Sequence, residues 1–336
     1  MKILVIGNGF DRQHGLSTNY GDFLDFCKAV TNVRAGGKIE ITRDDIERAG
    51  ILNSKDVLLA EEFYKLMNSF WIKLFLDREA ILKPNWINFE TEIENTVKNI
   101  LNEYNRTSSN GEYEKIEIPA PYNRFVSAPV SEIKDLFDYL RDELAKLSRA
   151  LEIYLDTVVD KELENSEAKI PAIVELKPDK LLSFNYTRTY FERYDSSVEY
   201  DYIHGKADIR KGNKDCNLII GFDDYYQGKI PTLELVPFEK YYQRIVHKTG
   251  AKYTKWLEDK NINREIYFYG HSMTPADGDI LKQLIGAPNT KTFIYYRKDY
   301  EKDRAEMIQN LAVVLTPAEL IKITGGDEPS LQFVPI

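Results

Sequence analysis

Apolar residues follow two rhythms along this chain. Short continuous runs of β-branched and aromatic residues end in glycine or polar turns, and long stretches between them carry apolar residues at helical spacing. The first run, Ile3-Leu4-Val5-Ile6, has the length and branching of a buried parallel strand and stops at Gly7-Asn8-Gly9. From Asn19 to Ala29, Tyr20, Phe23, Leu24 and Cys27 then fall on one helical face. Strand, glycine turn and helix in that order place backbone N–H groups where a phosphate can sit. The plain alternative is a β-turn-α corner that binds nothing.

The next long section reads as helical. Val57, Leu59, Phe63, Leu66, Phe70, Leu74 and Ile81 predict one helix over 56–82, closed by Pro84. Trp86, Phe89, Ile93, Val97 and Ile100 predict a second from Trp86 to Tyr104, whose other face carries Glu90, Glu92 and Glu94. Those acids read as a solvated face, with Glu90 near enough to Phe89 to point inward. Residues 105–129 read as a loop. Ile133, Phe137, Leu140, Leu144, Leu147, Leu151, Tyr154 and Val158 form a long seam that packs either in the core or against a second copy.

Strand-like runs return after residue 175. They are Lys180 to Phe184 running into Asn185-Tyr186-Thr187, Val198 to Ile203 ending at His204-Gly205, Asn217 to Phe222, Glu265 to Tyr269 ending at Gly270, and Thr292 to Tyr296. Helical sequence between them fits parallel crossovers. The expected architecture is α/β: a mostly parallel, Rossmann-type sheet with a large helical insertion. Residues 1–30 and 175–300 form its core, 31–174 the insertion, and 301–336 a C-terminal helical extension with a loose tail beyond Gly325-Gly326.

Composition narrows the function. At 336 residues and 43% hydrophobic the chain can bury a sizeable core, and its net charge of −9 argues against a broad nucleic-acid face. No run approaches the roughly 18 apolar residues that span a bilayer. The two cysteines, Cys27 and Cys216, cannot build a disulfide framework or a four-cysteine zinc site. The expectation is a cytoplasmic, metal-independent protein with no membrane partner.

Four turns converge on one sheet edge: residues 7–11, 184–187, 204–205 and 270–277. Three of the four histidines, His14, His204 and His271, fall in or beside them. His204 leaves a strand directly and is backed by Gly205, which makes it the strongest acid–base candidate. His247 lies in a basic helical stretch without such support. Arg12 occupies the third glycine position of a G-x-G-x-x-G fingerprint, which weakens an ordinary hydride-transfer reading.

The order GNGFD…HGL, FNYT, HG, GHSM resembles the AbiH family, named for abortive infection of bacteria by phage, over nearly the whole chain. More remotely it resembles the sirtuin-like NAD-binding fold, over the four turns and the strands that feed them. Sirtuin motifs run Gly-Ala-Gly-Ile-Ser, Ser-Gly-Ile-Pro, Thr-Gln-Asn-x-Asp, His-Gly and Gly-Thr-Ser-Leu. Asn185 falls on the motif asparagine, His204 on the catalytic histidine, and Gly270 and Ser272 on the last motif. The zinc-binding cysteines are absent. Asp11 stands where sirtuins have serine, and Thr187 where they have aspartate.

The resemblance implies an antiphage enzyme that binds NAD as substrate and cleaves its nicotinamide–ribose bond. Asn185 and His204 would be catalytic. Gly7, Asn8, Gly9, Phe10, Asp11, His14, Thr187, Gly205, Gly270, His271, Ser272 and Asp277 would form the nucleotide site, with Asp277 equally readable as a helix cap. Two alternatives stay open. One is a nucleotide-sensing module without catalysis that acts through its helical insertion; the other is an enzyme on a different nucleotide. A phage component as trigger and a homo-oligomer are further expectations.

Overall fold

The computed structural model describes residues 1–32, 57–81, 88–109, 118–211, 216–223, 232–299 and 301–336. At its centre is a six-stranded sheet made of β1 (Lys2–Ile6), β2 (Lys180–Ser183), β3 (Glu199–Tyr202), β4 (Arg264–Tyr269), β5 (Thr290–Tyr296) and β6 (Leu331–Pro335). Their order is β3-β2-β1-β4-β5-β6, and every pairing is parallel. Ile3, Leu4 and Val5 are fully buried because both sheet faces are covered, which is why β1 reads as an unbroken apolar run.

Successive β1 residues alternate between two cores. Ile3 and Val5 join Ile266, Phe268 and Ile294 beneath the later helices α8 (Gly278–Ile285), α9 (Glu301–Val314) and α10 (Pro317–Thr324). Leu4 and Ile6 join Phe10, Leu181 and Tyr269 beneath Ile170, Ile173 and Tyr190. The chain enters the sheet in the middle and leaves β1 with one neighbour from each half. That gives the sheet a switch point at the carboxyl ends of β1 and β4, where open α/β sheets bind ligands.

Between β1 and β2 runs the helical section. It comprises α1 (Asn8–Gln13), α2 (Tyr20–Asn32), α3 (Val57–Leu66), α4 (Phe70–Ile81), α5 (Phe89–Ser109) and α6 (Ile133–Tyr154). The α6 seam lies inside the chain: Phe137, Leu140, Leu144, Leu147 and Leu151 are buried with Phe63, Phe70, Trp71 and Phe89 in one cluster. It therefore packs in the core and needs no second copy to cover it. Past Tyr154 the helix widens into a π turn over Leu155–Val159 and resumes as Asp160–Asn165.

Four expectations change. The helix expected over 56–82 is two, broken at Met67–Ser69. Ser69 Oγ accepts from Ile72 N–H at 3.3 Å and buried Glu143 of α6 accepts from Phe70 N–H at 2.6 Å, so polar groups cap a new start that apolar spacing does not register. The loop expected at 105–129 begins later, because α5 runs on to Ser109. Residues 217–222 lie outside the six-stranded sheet, with a single isolated bridge at Phe222. Gln243 of α7 (Lys240–His247) takes both the N–H and the carbonyl of Ile220, where a neighbouring strand would otherwise bond. The tail beyond Gly326 is not loose: Leu331–Pro335 pairs with β5 as the edge strand. Trp86 lies outside the described residues.

Candidate functional site

A cleft of about 1080 Å³ opens at the switch point, and residues from all four predicted turns line it. Gly7, Asn8, Gly9 and Asp11 come from the turn after β1, and Asn185 and Thr187 from the turn after β2. His204 follows β3, and Gly270, His271, Ser272 and Asp277 follow β4. Asn88, Glu90, Leu151, Tyr154 and Leu155 of the helical section form the facing wall. Three predicted residues do not line the cleft. Phe10 is a buried residue of α1 packed with Leu4, Ile6 and Tyr269, His14 bonds the Phe10 carbonyl at 2.7 Å and the Tyr194 hydroxyl at 2.8 Å, and Gly205 packs on the Asn217 carbonyl. His247, given no role, is exposed.

The glycines hold two turns together. A side chain on Gly9 would meet the Gly270 Cα at 2.8 Å, and one on Gly7 the Gly270 carbonyl at the same distance. Gly270 itself has φ +65°, and a Cβ there would lie 2.2 Å from the Phe10 nitrogen, so no other residue fits. The amides of this turn are already bonded: Gly7 N–H to Tyr269 O, Gly9 N–H to Gly270 O and Phe10 N–H to Gly7 O, at 2.8–3.1 Å. The glycine turn is thus a joint between β1 and β4 more than an open cradle of N–H donors. Exposed Arg12, on the cleft lining, forms no ion pair among the described residues.

Asn185 crosses the switch point, its amide nitrogen donating to the Gly7 carbonyl at 3.0 Å. Next to it in sequence, the Phe184 carbonyl lies 3.2 Å from His204 Nδ1, while His204 Nε2 lies 3.0 Å from Asp277 Oδ1. Both partners are acceptors, an arrangement that suits a ring with hydrogen on both nitrogens. His271 is different. Met273, held at φ +57°, points its N–H at His271 Nδ1 across 3.0 Å, so that nitrogen is the acceptor and Nε2 carries the hydrogen toward Asp277 Oδ2 at 3.6 Å.

Behind Asp277 stands a cation that periodicity and motif did not single out. Lys240, 1% exposed, reaches Asp277 Oδ1 at 3.0 Å and Glu90 Oε1 at 2.9 Å. Burial alone would raise the Asp277 carboxyl, but Lys240 and His204 hold it well below the usual carboxylate range. Burial likewise works against the Lys240 ammonium, and Asp277 and Glu90 overcome it and raise it. Glu90, Lys240, Asp277 and His204 thus form one continuous chain of polar contacts from the helical section to the sheet edge.

Asp11 has the opposite environment. It is 1% exposed, and its Oδ2 accepts from the Thr187 hydroxyl at 2.6 Å, with Thr189 donating to Thr187 at 3.1 Å. Its other oxygen, Oδ1, has no partner. Burial pushes its carboxyl up to about 6, against the nearby polar side chains of Thr187, Thr189 and Asn185, which favour its charged form. Among the described residues no group of three or more His, Cys, Asp or Glu side chains is arranged to hold a metal ion. No helix among them is long and apolar enough to cross a membrane.

Fold and site thus define a parallel α/β protein with a polar cleft at its sheet switch point, lined on one side by the helices between β1 and β2. The chain belongs to the bacteriophage abortive infection AbiH family, whose sequence model matches residues 3–296. No curated protein and no solved structure gives a significant match.

Proposed function

We propose that this protein serves in abortive infection by binding NAD in the sheet-edge cleft and cleaving its nicotinamide–ribose bond. Family membership supports the antiphage role. The observation that carries the chemistry is the meeting of Asn185, His204 and the Gly270–Ser272 pair, from three different sirtuin-like motifs and strand ends, on one cleft. A strand order of 3-2-1-4-5-6 is also the order of doubly wound dinucleotide binders. The volume, about 1080 Å³, lies just above the roughly 300–1,000 Å³ typical of ligand pockets. Arg12, in the position that breaks the dehydrogenase fingerprint, supplies a cation for the pyrophosphate. Further support comes from Asp11 and Thr187: the serine and aspartate of the sirtuin pattern are present here as a hydroxyl and a carboxylate with their places exchanged, bonded at 2.6 Å.

Breaking the bond leaves a neutral nicotinamide and develops positive charge on the ribose, so the reaction needs the ring held, the charge stabilised and a water placed. Asn185 keeps its amide oxygen as an acceptor for a ribose hydroxyl or that water. A ribose hydroxyl that displaced the Phe184 carbonyl from His204 Nδ1 would let this histidine exchange a proton with the sugar, while Asp277 holds the other nitrogen. The acids along the cleft suit the cationic nicotinamide end.

The test is purified protein incubated with NAD, with nicotinamide release followed alongside calorimetric binding. Release that falls by roughly 10²–10⁴-fold in His204→Ala and Asn185→Ala, with binding retained, supports the assignment. One observation favours a second reading, a nucleotide sensor that performs no chemistry: both ring nitrogens of His204 already face protein acceptors. NAD binding without release, with phage lysate present as well as absent, would select the sensor.

A further inference from the structure

We propose that Asp11 is the catalytic base of the cleft, taking the proton of the water that attacks the ribose. This role depends on the NAD reading of the same cleft. Asp11 lines the cleft, yet it is 1% exposed and its Oδ1 has no hydrogen-bond partner. Its Oδ2 is held by Thr187 at 2.6 Å, which fixes the plane of the carboxyl group. A buried carboxylate normally pairs both oxygens or meets a cation. Asp11 does neither among the described residues, so a residue on the cleft lining keeps one oxygen fixed and without a partner.

The groups that face Asp11 are few. The loop after β2 presents Asn185, Thr187 and Thr189, and β3 presents Tyr202, whose phenol is raised by burial first and by the Asp11 charge among other groups. On its own helix, Arg12 and Gln13 are exposed. None of these is a paired cation. Burial therefore dominates and lifts the carboxyl to about 6, ionised at neutral pH and still basic enough to accept a proton. Asp277 has the opposite setting. Held by Lys240 and His204, it stays ionised and is a poor base.

In the step itself the water oxygen bonds to C1′ of the ribose as the C1′–N bond breaks. The electron pair of that bond stays on the ring nitrogen and neutralises the pyridinium. The water proton passes to Asp11 Oδ1 and from there to solvent, so the products are ADP-ribose, nicotinamide and one proton. No oxidant or reductant is required.

The experiment measures nicotinamide release against pH for the full chain, with calorimetric NAD binding and thermal unfolding on the same samples. The unmodified protein should lose kcat/KM as pH falls through about 6. Asp11→Asn should still bind NAD and lose roughly 10²–10⁴-fold in turnover. Thr187→Val removes the donor that lowers Asp11, so the acid limb should move to higher pH, and Thr187→Ser should restore it. A folded Asp11→Asn that keeps turnover within about tenfold of the unmodified protein overturns the role. If Asp11→Asn does not fold, the valine and serine variants decide: an acid limb that does not move overturns it. Absence of nicotinamide release from the unmodified protein overturns the NAD reading and Asp11 with it, whereas release that is indifferent to Asp11 and Thr187 overturns Asp11 alone.

Discussion

Lys240 meets Glu90 at 2.9 Å in the interior, joining the first turn of α5 in the helical section to the start of α7 beside the sheet edge. The same ammonium bonds Asp277, so one cation pairs with a buried acid and a half-buried one. Lys240→Met would leave both without it. Removing one partner of a buried ion pair typically costs about 3–5 kcal/mol, much of it the uncompensated charge left behind. Denaturant unfolding should show a loss of that order. Glu90→Gln added to Lys240→Met should recover part of it, and a double mutant no more stable than the single would show that the two residues do not act as a pair.

Asp11 makes the opposite prediction for stability. Its carboxyl is raised from 3.8 to about 6 in the folded chain, so between those values the native state binds more protons than the unfolded one. The contribution is fully present below 3.8 and is lost as pH rises through about 6. At about 1.4 kcal/mol per unit, ionised Asp11 costs on the order of 3 kcal/mol at neutral pH. Asp11→Asn should therefore be more stable than the unmodified protein at pH 7.5, with the gap closing towards pH 4. A carboxylate kept at such a cost fits a functional group better than a structural one. Equal unfolding midpoints across that pH range would contradict the unpaired, buried carboxylate.

Much of this arrangement was legible in residue pattern alone, because it depends on local chemistry. Ile3 to Ile6, Leu181-Leu182 and Glu265 to Tyr269 are strands buried on both faces, and such strands need continuous apolar runs that end where a turn must form. The same logic misreads 217–222, whose apolar residues are as buried as those of a strand while the bonds to Ile220 come from a distant glutamine side chain. Leu331–Pro335 was missed for the converse reason. An edge strand half open to solvent alternates weakly, and its proline sits where the ladder ends. Lys240 carries no local signal at all. Its role comes from Glu90 and Asp277, far away in sequence, and one lysine among the many of a charged chain looks like solvated surface. Asp11 and Thr187 were visible only as two departures from a family pattern, and the 2.6 Å bond joins them into one.

Gly9 bears on the fold before it bears on any ligand. A Cβ at this position lies 2.8 Å from the Gly270 Cα, and the neighbour is backbone that cannot swing aside. Gly9→Val should separate the turns after β1 and β4 at a cost of at least the roughly 1–3 kcal/mol of an overpacked core site. Thermal unfolding and NAD binding should fall together. A variant with an unchanged midpoint that has lost NAD binding would instead place a phosphate directly on Gly9.

The facing wall of the cleft gives the last prediction. Asn88, Glu90, Leu151, Tyr154 and Leu155 line it, and they belong to the beginning of α5, the end of α6 and the π turn that follows. A helix widened into a π turn replaces its regular bonds with a longer pattern and is locally easier to open than the α-helix on either side. Glu90 is also the residue that ties this wall to Lys240 and Asp277. A nucleotide in the cleft would therefore touch the wall and change the electrostatic setting of its anchor at once. Hydrogen exchange with and without NAD should show slowed exchange at the start of α5 and across Leu155–Val159, and little change in α10, none of whose residues lines the cleft. Glu90→Gln should weaken that protection, since the wall would lose its ionic link to the sheet edge. Protection confined to the four turns, with α5 and the π turn unchanged, would mean that the helical section frames the cleft without responding to what binds there.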